Sequence, residues 1–498
     1  MSDGRNLRRI VRPHSKSKLT ARERVDLLVD PGSFGETQAH VIGRVHDFGL
    51  DARLERGDGV VTGSALVDGR RVWVAAQDSA VLGGSLGEMH ARRIIDAGSM
   101  AIRTGCPFIQ INDSGGARIQ EGVLALHGYG EIFRMNARAS GVIPQISVIV
   151  GACAGGAVYS PAITDFTVMV DGISTMYITG PDVIRQVTGE EISHEDLGGA
   201  TAHGTQSGVV HATFESEPDC FAWVRRLLAY LPANCQERPP TSDVGDSADR
   251  QTPELGRIIP REERHAYDVR DVIRVVCDHG TFVEIHAGYA RNVVVGFGRL
   301  DGRTVGMIAS QPSVLAGALD INASDKAARF VRFCDCFQIP IVSLVDVPGY
   351  LPGVSQEHGG IIRHGAKMLY AIAEATVPKI ALVMRKAYGG AYVSMAGKGL
   401  GFDRVLALPG ARIAVMGPEA AAAIIFRREI AAAPDPAAER ARRIEEFQSV
   451  AADPMVAAGY GYVDRIVEPA SVRSELIASV RMLETKRRRR RRHGNVPL

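Results

Sequence analysis

The chain predicts two tandem α/β domains related by internal duplication. Three observations predict it. A series of short motifs recurs at a nearly constant offset, apolar strand-like and amphipathic helix-like segments alternate in each half, and a polar, turn-rich stretch lies between the halves. Alternation of this kind is the mark of α/β architecture.

The recurrence is ordered. Asp68-Gly-Arg-Arg-Val72 returns as Asp301-Gly-Arg-Thr-Val305, and Pro107-Phe-Ile-Gln-Ile-Asn-Asp113 as Pro340-Ile-Val-Ser-Leu-Val-Asp346, both at an offset of 233. Gly155-Gly156 returns as Gly389-Gly390 at 234, and Gly180-Pro-Asp182 as Gly417-Pro-Glu419 at 237. A period this long is too great for a solenoid and reads as a repeated domain.

In the first half, Val60–Thr62, Arg71–Ala76 and Phe108–Asn112 read as strands. Ile94, Ala97 and Ala101 share one helical face between them. Ile146–Val150 is a further apolar strand, leading into Gly151-Ala-Cys-Ala-Gly155-Gly156. In the second half, Ala327, Phe330, Val331, Cys334 and Phe337 keep helical spacing. A buried strand over Ile339–Val345 follows, and Lys379–Met384 leads to Gly389-Gly390. The stretch after Arg238 is rich in Pro, Ser, Asp and Gly. The expected division is an N-terminal domain over 1–240, a linker over 241–264 and a C-terminal domain over 265–498.

Composition narrows the class. The 498 residues are 45% hydrophobic and 23% charged, ordinary for a globular protein with a large core. The formal charge of +2 conceals an asymmetry: Lys486 to Arg492 is an unbroken run of seven cations, and without it 51 basic residues face 56 acidic ones. A mildly acidic body argues against a nucleic-acid binder, whose cations spread over a folded face. No run of about 18 apolar residues predicts a membrane span, and the polar, basic start has no apolar signal core. Seven scattered cysteines fit a reducing cytoplasm and form no zinc-type spacing, so no metal is expected. P-loop, dinucleotide and H-E-x-x-H motifs are absent. His90, His127, His358 and His364 read as surface or core residues.

Three motifs carry candidate chemistry. Each glycine pair follows a strand and opens a helix, where free N–H groups lie at the positive helix end. Such donors suit a carbonyl oxygen that gains charge during reaction. A lone pair would serve helix–strand packing equally well, but repetition favours two oxyanion holes. Asp113-Ser114-Gly115-Gly116-Ala117-Arg118 could hold phosphate or carboxylate, or be a loop with Ser114 as a helix cap; both readings stand. Gly83-Gly-Ser85-Leu-Gly87 matches the G-x-S-x-G elbow of serine hydrolases, a rival reading weakened because the second half has no serine pentapeptide there.

These stretches, with Ile178-Thr-Gly-Pro-Asp-Val183, Asp346-Val-Pro-Gly-Tyr-Leu-Pro-Gly353, Arg363-His-Gly-Ala-Lys367, Arg385-Lys-Ala-Tyr-Gly-Gly-Ala-Tyr392 and His493-Gly-Asn-Val-Pro-Leu498, resemble the β subunits of biotin-dependent acyl-CoA carboxylases, the carboxyltransferases of acetyl- and propionyl-CoA carboxylase type. The resemblance runs from about Lys16 to Leu498. It implies two crotonase-like (ClpP/crotonase) domains and a hexamer whose active sites join the N-terminal domain of one subunit to the C-terminal domain of another. It implies acyl-CoA on the N-terminal domain and carboxybiotin on the C-terminal one.

By that resemblance the N–H groups of Gly390 and Ala391 stabilise charge on the biotin ureido oxygen, and those of Gly155 and Gly156 hold the thioester oxygen of the enolate. Ser114, Gly115, Gly116, Arg118 and Tyr159 then line the acyl-CoA site. Arg93 takes the place of a family lysine toward the CoA phosphates, unless it is a solvated helix position. Val393 stands where many propionyl-type members carry aspartate and some acetyl-type members isoleucine, which leans toward acetyl-CoA with mixed use. No biotin-attachment motif is present, so biotin is expected on a separate α chain that also carries the biotin carboxylase. Relatives that decarboxylate methylmalonyl-CoA are the nearest alternative. The basic run is expected to pair with a neighbouring subunit or to be solvated.

Overall fold

The computed structural model describes residues 14, 18–486 and 493–497. They form two compact units, residues 18–238 with 493–497, and residues 239–486.

The first unit holds β1 (Gly35–Glu36), β2 (Val60–Val67), β3 (Arg70–Gln77), β4 (Phe108–Ser114), β5 (Gln145–Ala154), β6 (Phe166–Val170), β7 (Thr175–Tyr177) and β8 (Ala212–Phe214). They pair in the order β1-β2-β3-β4-β5-β6-β8, with β7 on the far end of β5. The β1–β2 and β2–β3 pairs are antiparallel and the others parallel.

The second unit holds β9 (Val283–Ile285), β10 (Val293–Leu300), β11 (Arg303–Ser310), β12 (Ile341–Val347), β13 (Lys379–Tyr388), β14 (Arg404–Ala407), β15 (Arg412–Ala414) and β16 (Arg465–Ile466). Their order and directions repeat the first sheet strand for strand. The repetition reaches irregular features. β4 shifts register between Asn112 and Ser114, and β12 between Val345 and Val347. The bridge Leu86–Ala117 recurs as Leu319–Tyr350.

The recurring Asp-Gly motif now has a cause. Asp68 and Gly69 turn β2 into β3 with φ of 48° and 75°, and Asp301 and Gly302 turn β10 into β11 with 54° and 73°. Two-residue hairpins need positive φ at both positions, which Asp-Gly tolerates. The central strands β4, β5, β12 and β13 are buried almost throughout. Parallel strands covered on both faces read as continuous apolar runs, which made them visible in the sequence.

Helix Glu88–Thr104 buries Ile94, Ala97 and Ala101, and helix Ile321–Cys336 buries Ala327, Phe330, Val331 and Cys334. Phe337 is the buried C-cap. β12 begins at Ile341 rather than Ile339. Ile339 N–H closes back on the Cys334 carbonyl at 2.9 Å, and Pro340 has no N–H for the ladder.

The stretch expected as a linker packs as part of the second unit. Leu255 and Ile259 sit in one cluster with Val269, Val272 and Ile273, and Thr252 Oγ1 donates to the Pro469 carbonyl at 2.7 Å. The chain end packs with the first unit: Asn495 N–H donates to Ser140 Oγ at 2.8 Å and its Nδ2 to Asp165 Oδ1 at 3.0 Å. Of the basic run, Lys486 donates to Asp403 Oδ2 at 2.8 Å, and residues 487–492 lie outside the described residues. Among the described residues no helix is long and apolar enough to cross a membrane. The seven cysteines are free thiols, six of them buried.

Candidate active site

Both glycine pairs lie at the exit of the long central strand of each sheet. β5 ends at Ala154 and runs into a helical turn, Gly155–Val158, continued by helix Tyr159–Ile163. β13 ends at Tyr388 and runs directly into helix Gly389–Ala396. Gly155 has φ +61° and Gly389 φ +58°, the left-handed region in which a side chain is strained. The N–H groups of the first helical turn have no intrahelical acceptor.

The floors of the two junctions differ. A Cβ on Gly156 would stand 3.2 Å from the ring of Tyr129. Tyr129 is buried, and burial raises its phenol pKa, keeping it protonated. Its ring continues through Phe133 to Tyr159, which is 46% exposed at the mouth. A Cβ on Gly390 would stand 3.5 Å from the ring of Tyr350. The Tyr350 hydroxyl shares a hydrogen bond with Ser394 Oγ at 2.7 Å, and Ser394 Oγ donates to the Gly390 carbonyl at 3.0 Å. Ala391 is fully buried, whereas Val393, two residues on, is 40% exposed.

The Asp113–Arg118 loop lies against the first junction: a Cβ on Gly116 would be 2.9 Å from the Ala154 carbonyl. Several of its polar groups are engaged within the protein. Gly115 N–H donates to the Gly83 carbonyl at 3.1 Å and Gly116 N–H to buried Ser114 Oγ at 3.2 Å. Arg118 is buried, donating to Asp58 at 2.8 Å, Glu121 at 2.6 Å and the Ser85 carbonyl at 3.0 Å. Its guanidinium therefore ties this loop to the Gly83–Gly87 turn and is not offered to a ligand, correcting its expected substrate role. The loop is scaffold for Gly155 and Gly156.

Arg93 requires the same correction. It is 1% exposed and donates to the carbonyls of Gly57 at 2.6 Å, Thr37 at 2.8 Å and Val60, so its charge does not reach a phosphate at the surface. The helix face it occupies points inward, which neither expected reading allowed.

The hydrolase reading also fails. Ser85 Oγ donates to the Leu82 carbonyl at 2.8 Å. The turn beneath it recurs in the second unit, where Leu315 and Ala316 keep positive φ and Ala318 stands at the serine's position. A nucleophile elbow exists to present serine to a base; this turn exists without one. His90 is core: burial lowers its pKa to about 3. His127 is exposed, and His364 pairs with Asp325 at 2.6 Å.

Sequence reasoning missed the buried carboxylates behind each junction. Asp113 lies at the end of β4 and receives Arg24 Nη1 at 3.0 Å; Arg24 Nε also donates to Glu217 at 2.6 Å. Asp346, at the matching point of β12, receives Arg385 Nε at 2.8 Å and Lys386 Nζ at 3.1 Å. The constant offset between the two aspartates was the available signal. Tyr129 left none.

A family model described as the carboxyl transferase domain matches residues 12–496. The propionyl-CoA carboxylase carboxyltransferase subunit of Haloferax mediterranei is 54% identical, over 98% of this chain and 95% of that one. The methylmalonyl-CoA decarboxylase subunit alpha of Veillonella parvula is 53% identical, over 99% and 95%. Among solved structures, the transcarboxylase 12S hexamer crystallised with methylmalonyl-coenzyme A and methylmalonic acid aligns with a TM-score of 0.96 and 50% identity, covering 100% of this chain and 97% of that one.

Proposed function

This chain belongs to the carboxyl transferase domain family, the carboxyltransferase subunits of biotin-dependent acyl-CoA carboxylases, and we propose that it moves a carboxyl group from biotin on a separate partner protein to the α-carbon of propionyl-CoA, giving methylmalonyl-CoA. The observation that carries this is the duplicated junction: Gly155 at φ +61° and Gly389 at φ +58°, at matching strand ends of two sheets with one topology. A reaction between two carbonyl-bearing partners uses two such donor sets.

A planar ring that presents an oxygen is the ligand read for the second unit's junction. Gly390 is exposed, and a Cβ at Gly389 would approach the Val415 carbonyl to 3.1 Å. Biotin, when bound, supplies the transferable carboxyl group. Gly390 and Ala391 N–H groups hold negative charge at the ring's oxygen. In the first unit the Gly155 and Gly156 N–H groups receive the thioester oxygen as it takes up enolate charge, each donor worth about 2.7–4 kcal/mol. Ser114, Gly115 and Gly116 position that pair, and the Tyr129–Phe133–Tyr159 rings form an apolar floor that excludes water from the enolate.

The names of the relatives favour propionyl-CoA as acceptor; acetyl-CoA as a second acceptor rests on Val393 alone. We assign the chain the hexameric assembly described for transcarboxylase 12S, a biotinylated α partner and a cytoplasmic location. A methylmalonyl-CoA decarboxylase role is the second reading, favoured by a relative of that name at 53% identity.

The test supplies purified protein with free biotin and methylmalonyl-CoA and follows propionyl-CoA formation. Biotin-dependent turnover is expected. No turnover with free biotin or with a biotinylated α partner rejects the proposal. Carboxylation of propionyl-CoA restored by a carboxylase α chain favours the first reading, and activity only with a membrane decarboxylase complex favours the second.

A further inference from the structure

The second unit contains a cleft of about 610 Å³ that the proposed reaction does not explain. Its volume is in the range of small-molecule sites. One wall is the segment 261–266, and the other is built by Pro312, Ala316, Pro348 and the strand residues Arg385 and Lys386. The glycine pair is not part of this lining.

Arg385 builds the cleft. Its Nη1 donates to the carbonyls of Glu262 at 2.7 Å and His265 at 2.9 Å, folding the segment over the end of β13. Arg385 is 3% exposed, and its Nη2 has no hydrogen-bond partner among the described residues. The same guanidinium lies 4.9 Å from the centroid of the Tyr267 ring, a cation–π contact.

The lining carries five arginine and lysine side chains against three glutamates, with buried Asp346 behind Arg385 and Lys386. Glu263 is engaged by Arg412 at 2.7 Å and by the Tyr388 hydroxyl at 3.3 Å, and Glu262 faces His265 at 3.5 Å. Asp346 is matched by Arg385 and Lys386. Glu419 is the other acid in the lining. Arg261 and Arg264 are exposed and make no ion pair among the described residues. In the first unit the cations beside the matching aspartate, Asp113, come from Arg24 and Lys18 instead. At the matching positions of the first unit stand Gly83, Gly115, Gly151 and Ala152 in place of Ala316, Pro348, Arg385 and Lys386.

We infer that this cleft binds a phosphate group, with Arg261 and Arg264 closing on its oxygens from the rim. Two unmatched guanidinium groups suit a phosphate dianion, and their planar forks match its oxygens in pairs. The phosphate comes either from a coenzyme such as CoA or from a free phosphorylated or inorganic ligand. The inference stands on the cleft itself and does not require the carboxyl-transfer reading.

Isothermal titration of the full-length protein with inorganic phosphate tests it, repeated on the double variant Arg261→Ala/Arg264→Ala, whose exposed positions leave the core intact. Saturable binding that weakens at least tenfold in the variant is expected. Displacement of phosphate by CoA assigns the site to the coenzyme; retention of phosphate in saturating CoA assigns it to a free ligand. Absence of saturable binding, or equal affinity in a variant of unchanged melting temperature, overturns the inference.

Discussion

Arg93 and Lys326 stand 233 residues apart at the same place in their two units, each buried and each donating to main-chain carbonyls. Arg93 binds the carbonyls of Gly57 and Val60; Lys326 binds those of Ala290 at 3.3 Å and Val293 at 2.6 Å, the matching residues. Each cation clamps the entry to the antiparallel hairpin onto the helix packed against it. The duplicated fold keeps the clamp and lets its chemistry drift between guanidinium and ammonium.

Replacing either clamp removes several charge-assisted bonds and leaves buried carbonyls unpaired. Arg93→Met and Lys326→Met are each expected to cost about 2–4 kcal/mol, read from denaturant unfolding. KM for acyl-CoA measured on folded Arg93→Met should stay within about twofold. A rise of tenfold or more would return Arg93 to the substrate site.

The glycine junctions predict unequal damage. Gly155→Ala and Gly389→Ala both force a side chain into the left-handed region, at about 1–2 kcal/mol. At Gly389 the new Cβ also meets the Val415 carbonyl at 3.1 Å, whereas at Gly155 the nearest atom is at 3.9 Å. Both should lower kcat by about 10²–10³ through misaimed donors, and Gly389→Ala should melt at the lower temperature. Equal melting points with full activity would remove the junctions from the mechanism.

His90 makes stability fall in acid. Burial depresses its folded pKa to about 3, against 6.5 for the free side chain. The unfolded chain therefore binds the extra proton between these values, so stability rises with pH across that window and is lost as pH falls from 6.5. The slope is about 1.4 kcal/mol per pH unit for one proton. Unfolding free energies of His90→Gln between pH 4 and 7 should show a shallower slope than wild type.

Ser85→Ala should leave carboxyl transfer within about threefold of wild type, because the second unit makes the same turn with Ala318. Loss of all activity in that variant would revive a serine-based mechanism.

Val393 is 40% exposed on the helix that carries the second glycine pair. Val393→Asp is expected to shift the ratio of kcat/KM from acetyl- toward propionyl-CoA by about 1–3 kcal/mol, the scale of one methylene. An unchanged ratio would place acyl selection elsewhere in the pocket.

The sequence by itself determined what local rules control. Asp-Gly at 68–69 and 301–302, at one constant offset, announced a repeated domain because the same local turn recurs in each half. The apolar runs at 108–112 and 339–345 announced strands because both their faces are covered. The paired glycines announced two helix entries after strands. What only tertiary structure decided was the fate of the charges. Arg93 and Arg118 looked like ligand contacts until folding surrounded them with carbonyls and carboxylates from other segments. Asp113 takes its cation from Arg24, 89 residues away, while Asp346 takes its own from Arg385 on the neighbouring strand. A guanidinium reads the same in sequence whether it faces a solvent cleft or a closed shell of acceptors. Burial and partner are set by contacts between distant segments, and those contacts decide whether the charge supports the scaffold or meets a ligand.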